Sequence, residues 1–216
     1  MRIECRENQA AIWVIESPRV RRKIIGELLE QFHGKAGQFV LSDQEKELDI
    51  GKSAEIIVDP FDVDVNDKKF IAKVYSELKD IAFGDVYYPQ TQQLITHITS
   101  YLMEIEQEAS VYLDYGEMDF SQMLKAWGIR IDDCENEIVG KLGQYLHILS
   151  RLMKKKIVVF CNLSLYLETW EIEKILQEAY YQKLYVILLE SQEMDIAIKR
   201  KYYIILNYSP QSGENS

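Results

Sequence analysis

The chain has 216 residues, 47% of them apolar, enough for one large domain or two small ones with a packed core. Its 14 tyrosines and 3 tryptophans exclude a disordered polymer, and no apolar run approaches the roughly 20 residues of a membrane span. A formal net charge of -10 excludes a surface coated all over in nucleic-acid-binding lysines, but leaves room for a local basic face on an acidic body.

The first segment alternates β-type runs with polar breaks. Residues 2–5 and 11–15 read as strands, paired as a hairpin through Glu7-Asn8-Gln9. Ser17 then fits a helix N-cap and Pro18 the first helical position. Val20, Ile24, Ile25, Leu28, Leu29 and Phe32 give that helix one buried stripe, and Gly34 ends it. Short β runs follow at 38–41 and 55–58.

The middle reads as helical. Asn66 or Asp67 caps a helix bearing Phe70, Ile71, Val74, Leu78 and Ile81. Pro89 starts a longer one with Leu94, Ile95, Ile98, Leu102 and Ile105 on one face. A third helix runs over 119–127 and stops at Gly128, with a brief β-like link at 129–131. A fourth covers 135–153, with Ile138, Leu142, Tyr145, Leu146, Leu149 and Leu152 as its stripe.

The last part returns to β/α alternation. Residues 157–161 are wholly apolar, as a central strand buried on both faces requires. An amphipathic helix over 168–180 and strands at 184–189 and 202–206 follow, before a polar tail. Strand, helix, strand at this spacing implies a parallel sheet. The expected architecture is α/β: a head with a mainly parallel sheet built from residues 1–59 and 153–216, and an inserted helical domain over 60–152.

Cys5, Cys134 and Cys161 have no CxxC spacing and suit reduced thiols in a reducing cytoplasm. The N-terminus turns polar within a few residues, so no signal peptide is expected. His33, His97 and His147 lack ligand spacing, and no nucleophilic triad is suggested.

Gly51-Lys52-Ser53 looks like the end of a phosphate-binding loop, but Lys46 stands where the first glycine is needed and a strand follows where a helix is needed. An ordinary turn is the better reading. Ile187-Leu188-Leu189-Glu190 resembles the acid-ended strand of nucleotide hydrolases; without a phosphate loop it reads as a core strand emerging at its C-terminal end. Asp62-x-Asp64-x-Asn66 repeats oxygen ligands as a calcium loop does, but Asp67 replaces the glycine and Lys73 the bidentate glutamate, so it is not an EF-hand. Acids favoured at a helix N-terminus explain it as well as a cation site does. Glu104, Glu106, Glu108, Asp114 and Glu117 form a second acidic group.

Two basic stretches contain no acid: Arg19, Arg21, Arg22 and Lys23 within 17–26, and Lys141, Arg151, Lys154, Lys155 and Lys156 with His147 between Ile138 and Ile157. In so acidic a chain they suggest a reserved phosphate-contacting surface. On spacing alone a solvated helix end, with lysines favoured by the dipole at its C-terminus, is the slightly better reading.

Four stretches resemble the Csn-two family of type II-A CRISPR systems, which acts in spacer acquisition. They are Ile57-Val58-Asp59 into Phe61-Asp62-Val63-Asp64-Val65-Asn66; Leu113-Asp114-Tyr115-Gly116-Glu117 with Met123-Leu124-Lys125-Ala126-Trp127-Gly128-Ile129-Arg130-Ile131; Leu152-Met153-Lys154-Lys155-Lys156 into Ile157-Val158-Val159-Phe160-Cys161-Asn162; and Tyr166-Leu167 with Val186-Ile187-Leu188-Leu189-Glu190 and Lys201-Tyr202-Tyr203-Ile204. The likeness covers about 59–205 and is weak over the first 50 residues. It implies an α/β head with an inserted helical domain, assembled as a ring-shaped homotetramer. It implies binding of double-stranded DNA ends through a basic central hole, calcium at the head–helix junction, no enzymatic activity, and work alongside the adaptation integrase and the type II effector nuclease.

Carried over residue by residue, the resemblance implies calcium at Asp64, Glu108, Asp114 and Glu117, with Ser110 and Tyr112 standing where acids are expected. It implies DNA contacts among Lys125, Arg130, Lys141, Arg151, Lys154, Lys155 and Lys156. Two other readings remain open: a nucleotide-dependent enzyme of P-loop-like fold, and a structural adaptor that binds only protein.

Overall fold

The structure, a computed structural model, describes residues 2–4, 10–43, 46–133, 137–196 and 201–205. It divides into two compact units, the first made of Met1–Val65 and Asp133–Ser216 and the second of Asn66–Asp132.

The first unit is built on β-strands β1 (Arg2–Glu4), β2 (Ala10–Val14), β3 (Val40–Asp43), β4 (Lys46–Leu48), β5 (Ala54–Ile57), β6 (Ile157–Cys161), β7 (Tyr185–Glu190) and β8 (Lys201–Ile205). Its helices are α1 (Pro18–Phe32), the one-turn α2 (Ile50–Ser53), α6 (Ile138–Arg151) and α7 (Thr169–Tyr181). The second unit holds α3 (Lys68–Ala82), α4 (Tyr88–Ala109) and α5 (Phe120–Trp127).

Five strands form a sheet in the order β5-β6-β7-β2-β8, with every neighbouring pair parallel. β2, β6 and β7 are buried at every residue. Their apolar runs fit strands covered on both faces. β6, α7 and β7 form a βαβ unit in which Ile172, Ile175, Leu176 and Ala179 are buried. Expectation and structure agree on an α/β head with a parallel sheet drawn from both chain ends.

The expected hairpin between the first two strands is absent. β1 lies in a separate three-stranded sheet, parallel to β3, while β2 is inserted between β7 and β8. Both edges of β2 are therefore occupied, leaving none for β1. Glu7, Asn8 and Gln9 lie outside the described residues.

The strand expected at 38–41 begins at Val40. The Gln31 side chain of α1 takes the Phe39 backbone instead, accepting from its N–H at 3.0 Å and donating to its carbonyl at 2.9 Å. Ser17 caps α1 as expected, with Pro18 in the first turn. Gly51-Lys52-Ser53 falls in α2, and β5 follows directly. A Cβ on Gly51 would sit 2.7 Å from the Phe32 carbonyl oxygen. The glycine thus serves close approach of α2 to the end of α1.

The sequence boundaries at 60 and 152 differ from the observed ones at 65/66 and 132/133. The difference is α6. It packs on α7 and buries Leu142, Tyr145, Leu146, Ile148 and Leu149, so it groups with the sheet.

In the second unit Asp67 caps α3. Asn66 instead bridges to Ile131, donating from Nδ2 to its carbonyl at 3.1 Å and accepting from its N–H at 2.9 Å. The Tyr75 hydroxyl donates to the Ile129 carbonyl at 2.8 Å. Side chains thus satisfy the backbone of the 129–131 link, which is not a strand. α3 packs on α5, and Phe83 meets Phe120 edge to face at 5.8 Å. The α4 stripe is not covered as its periodicity suggests: Leu94, Leu102 and Ile105 are exposed, as are Tyr101 and Met103. No described helix is long and apolar enough to cross a membrane.

Candidate nucleic-acid interface

The run Lys154-Lys155-Lys156 leads from α6 into β6, and its three ammonium groups meet three different fates. Lys154 has φ 53 in the left-handed region and is exposed. That turn ends α6 and lets the Lys155 N–H reach back to the Leu149 carbonyl at 3.0 Å.

Lys155 points inward and is only 9% exposed. Its Nζ donates to the carbonyls of Gly51 at 2.8 Å and Ala54 at 2.6 Å, and lies 3.6 Å from the Glu55 carboxylate. It also sits over the Phe32 ring, 5.3 Å from the centroid. Glu55 in turn accepts from the Tyr145 hydroxyl at 2.9 Å. This corrects the placement of Lys155 among the DNA contacts: its charge ties α2 and β5 to the base of β6 and does not face solvent. A buried ammonium needs such partners, because desolvation without them is costly.

Lys156 is exposed but ion-paired to Asp43 on β3. Its backbone N–H donates to the carbonyl of Ser53 at the end of α2, and its carbonyl accepts from the N–H of Tyr185 at the start of β7. The charge of Lys156 is therefore partly compensated within the chain.

Arg151 ends α6 and is exposed, and Lys141 is half-buried on the same helix. In the second unit Lys125 on α5 and Arg130 in the link are exposed. Among the described residues, Lys125, Arg130, Lys141, Arg151 and Lys154 make no salt bridge. These cations are available to an anionic partner. Within the first basic stretch, Arg21 donates to the Ile15 carbonyl at 3.1 Å, while Arg19, Arg22 and Lys23 are exposed.

The acids expected to hold calcium fall in both units. Asp64 is an exposed residue of the first; Glu108, Asp114 and Glu117 are exposed in the second. Carboxylates are the hard oxygen donors that calcium takes. Among the described residues, however, no group of three or more His, Cys, Asp or Glu converges as a metal cage.

What orders the loop around Asp114 is Glu106. Its carboxylate accepts from the Leu113 N–H at 2.8 Å and the Tyr115 hydroxyl at 2.7 Å. Those bonds pull the Glu106 carboxyl below its usual range and push the Tyr115 hydroxyl up to about 12. The clasp brackets Asp114 between two tied residues. Sequence spacing marked Glu106 only as acidic. No lysine or arginine lies between Lys79 and Lys125, so the acids of this stretch have no local counter-charge in sequence.

Glu190, at the end of β7, is wholly buried. The Ser164 hydroxyl donates to it at 2.5 Å. Burial pushes its carboxyl up, against the hydrogen bonds from Ser164 that pull it down. The same burial, with Glu190 nearby, pushes the Cys161 thiol up to about 12. Glu190 thus seals the end of the sheet against the turn after β6, and is not presented to a solvent-borne metal–nucleotide.

A family model described as CRISPR-associated protein (Cas_Csn2) matches residues 31–208. The chain is also similar to the CRISPR-associated protein Csn2 of Streptococcus agalactiae, 22% identical over 176 residues, which is 77% of either chain. To the CRISPR-associated protein Csn2 of Enterococcus faecalis it is 24% identical over 189 residues, 83% of this chain and 80% of that one.

Proposed function

The chain belongs to the CRISPR-associated Csn2 family, and from that premise we propose that it binds the ends of double-stranded DNA, without reading their sequence, as a non-enzymatic component of spacer acquisition. The observation that carries the reading is the set of unpaired cations on an acidic body. Arg151 and Lys154 are exposed at one end of α6, and Lys125 and Arg130 flank the end of α5, without a carboxylate partner among the described residues. Such cations contact phosphates, and phosphates carry no sequence information.

The working form in this reading is a homotetrameric ring. The uncovered apolar stripe of α4 supports self-association, since a stripe at helical spacing is normally buried against something. Calcium is the ion of the assembly in this reading, with Asp64 in the first unit and Glu108, Asp114 and Glu117 in the second as the acids offered to it. Their donor chemistry and the lack of lysine or arginine between Lys79 and Lys125 support this part. The adaptation integrase and the type II effector nuclease are the protein partners, in the cytoplasm. A nucleotide-dependent enzyme is disfavoured because Glu190 is buried against Ser164, and because α2 leads into a strand.

Titration of linear duplexes of unrelated sequence over a range of salt tests the reading. Similar affinities and a steep salt slope are expected, about 0.9 per phosphate neutralised. Failure to bind any duplex, with calcium present, overturns it in favour of a protein-only adaptor. Mass in solution with and without chelator tests the ring; a stable monomer in calcium contradicts it.

A further inference from the structure

Trp127 is the last residue of α5 and is 77% exposed. It continues the stripe of Phe120, Met123 and Leu124 at helical spacing, yet those three are half-buried while the indole is exposed. An indole left in water forgoes a large burial gain, so a large exposed aromatic calls for an explanation.

Its mounting is rigid. Gly128 takes φ 73, and its N–H and that of Ile129 close the helix onto Lys125 and Leu124. A side chain at that φ would be strained. Tyr75 then holds Ile129, and Asn66 holds Ile131 through two bonds.

Lys125 and Arg130, neither in a salt bridge among the described residues, lie two and three residues from it in sequence, and α3, which packs on α5, carries further lysines. All lysines and arginines of the second unit lie on α3, α5 or the link: Lys68, Lys69, Lys73, Lys79, Lys125 and Arg130. α4 has none, and residues 68–76 contain no acid. An exposed aromatic on a rigid stub beside cations is the arrangement that takes a base on its face and phosphates around it.

We infer that Trp127 is a stacking platform for the terminal base of a DNA end. This deepens the DNA-binding reading and rests on it. What distinguishes an end from the interior of a duplex is one base pair whose outer face is unstacked. An indole laid on that face selects ends while remaining indifferent to sequence, because every base has a π-face.

Duplexes carrying 2-aminopurine at the terminal or a central position, excited outside the tryptophan band, provide the test. Wild-type chain should change the fluorescence of the terminal probe and not the central one. Trp127→Ala should lose that signal and weaken binding about tenfold. Trp127→Phe should retain part of both, with melting temperature, mass in solution and salt slope unchanged in either variant. If wild type binds DNA but W127A keeps the terminal signal and the affinity, the stacking role is wrong and the phosphate reading stands. If W127A dissociates the assembly, the indole is a contact between copies and the stacking role is likewise wrong. If wild type binds no duplex, both fall together.

Discussion

The ammonium of Lys155 lies 3.6 Å from the carboxylate of Glu55, with both side chains buried in the first unit. Removing one member of a buried pair usually costs about 3 kcal/mol or more, because the other keeps its desolvation penalty. Lys155→Met should therefore lower the unfolding free energy by an amount on that scale, read as a lower chemical-denaturation midpoint at unchanged slope. Lys154→Ala, one residue away but exposed, should leave the midpoint nearly unchanged and weaken DNA binding instead. Equal stability losses in the two variants would contradict the division of labour between neighbouring lysines.

The available cations should behave as phosphate contacts. Alanine at Lys125, Arg130, Lys141 or Arg151 should weaken binding alike for every duplex sequence, and lower the salt slope by about 1 per contact removed. A variant that weakens one sequence and spares another would mark a base contact.

Glu190 should give the fold a pH dependence of unusual sign. Its carboxyl is raised from an ordinary 4.5, chiefly by burial. Above the ordinary value the unfolded chain releases a proton that the folded chain still holds, so this group's contribution to stability falls as pH rises through the folded value. Glu190→Gln cannot ionise and its amide oxygen still accepts from Ser164. The melting temperature of Glu190→Gln minus that of wild type should climb as the pH rises above the ordinary carboxyl value of 4.5. A flat difference would show that Glu190 is ionised in the folded chain.

Cys161 is buried on β6, and its thiol is pushed up to about 12, first by burial and then by Glu190 nearby. Only the thiolate is reactive. Peptide-resolved alkylation at neutral pH should leave Cys161 unmodified in the folded chain and modify it fully after unfolding. Rapid labelling of Cys161 in the native chain would mean that the β6 end opens readily.

Local signals in the sequence placed the helices well. Ser17 caps α1 and Gly128 terminates α5 as expected, Asp67 proves to be the cap of α3 rather than Asn66, and α5 starts after Asp119, at the expected boundary. Apolar runs marked β6 and β7 for the same reason: a strand buried on both faces has no polar positions. Strand partners were not legible, since β2 carries no mark saying that its edges belong to β7 and β8. Nor was the inward turn of Lys155, because three consecutive lysines look alike until a left-handed residue at Lys154 separates them. The Glu106 clasp joins residues 7 and 9 apart across a loop, which no helical or strand period reveals.

The most direct measurement compares binding to one duplex sequence offered as a linear fragment and as a covalently closed circle, in calcium and at fixed salt. Recognition of ends predicts a shift with the linear form and little or none with the circle. Equal affinity for both forms would contradict it.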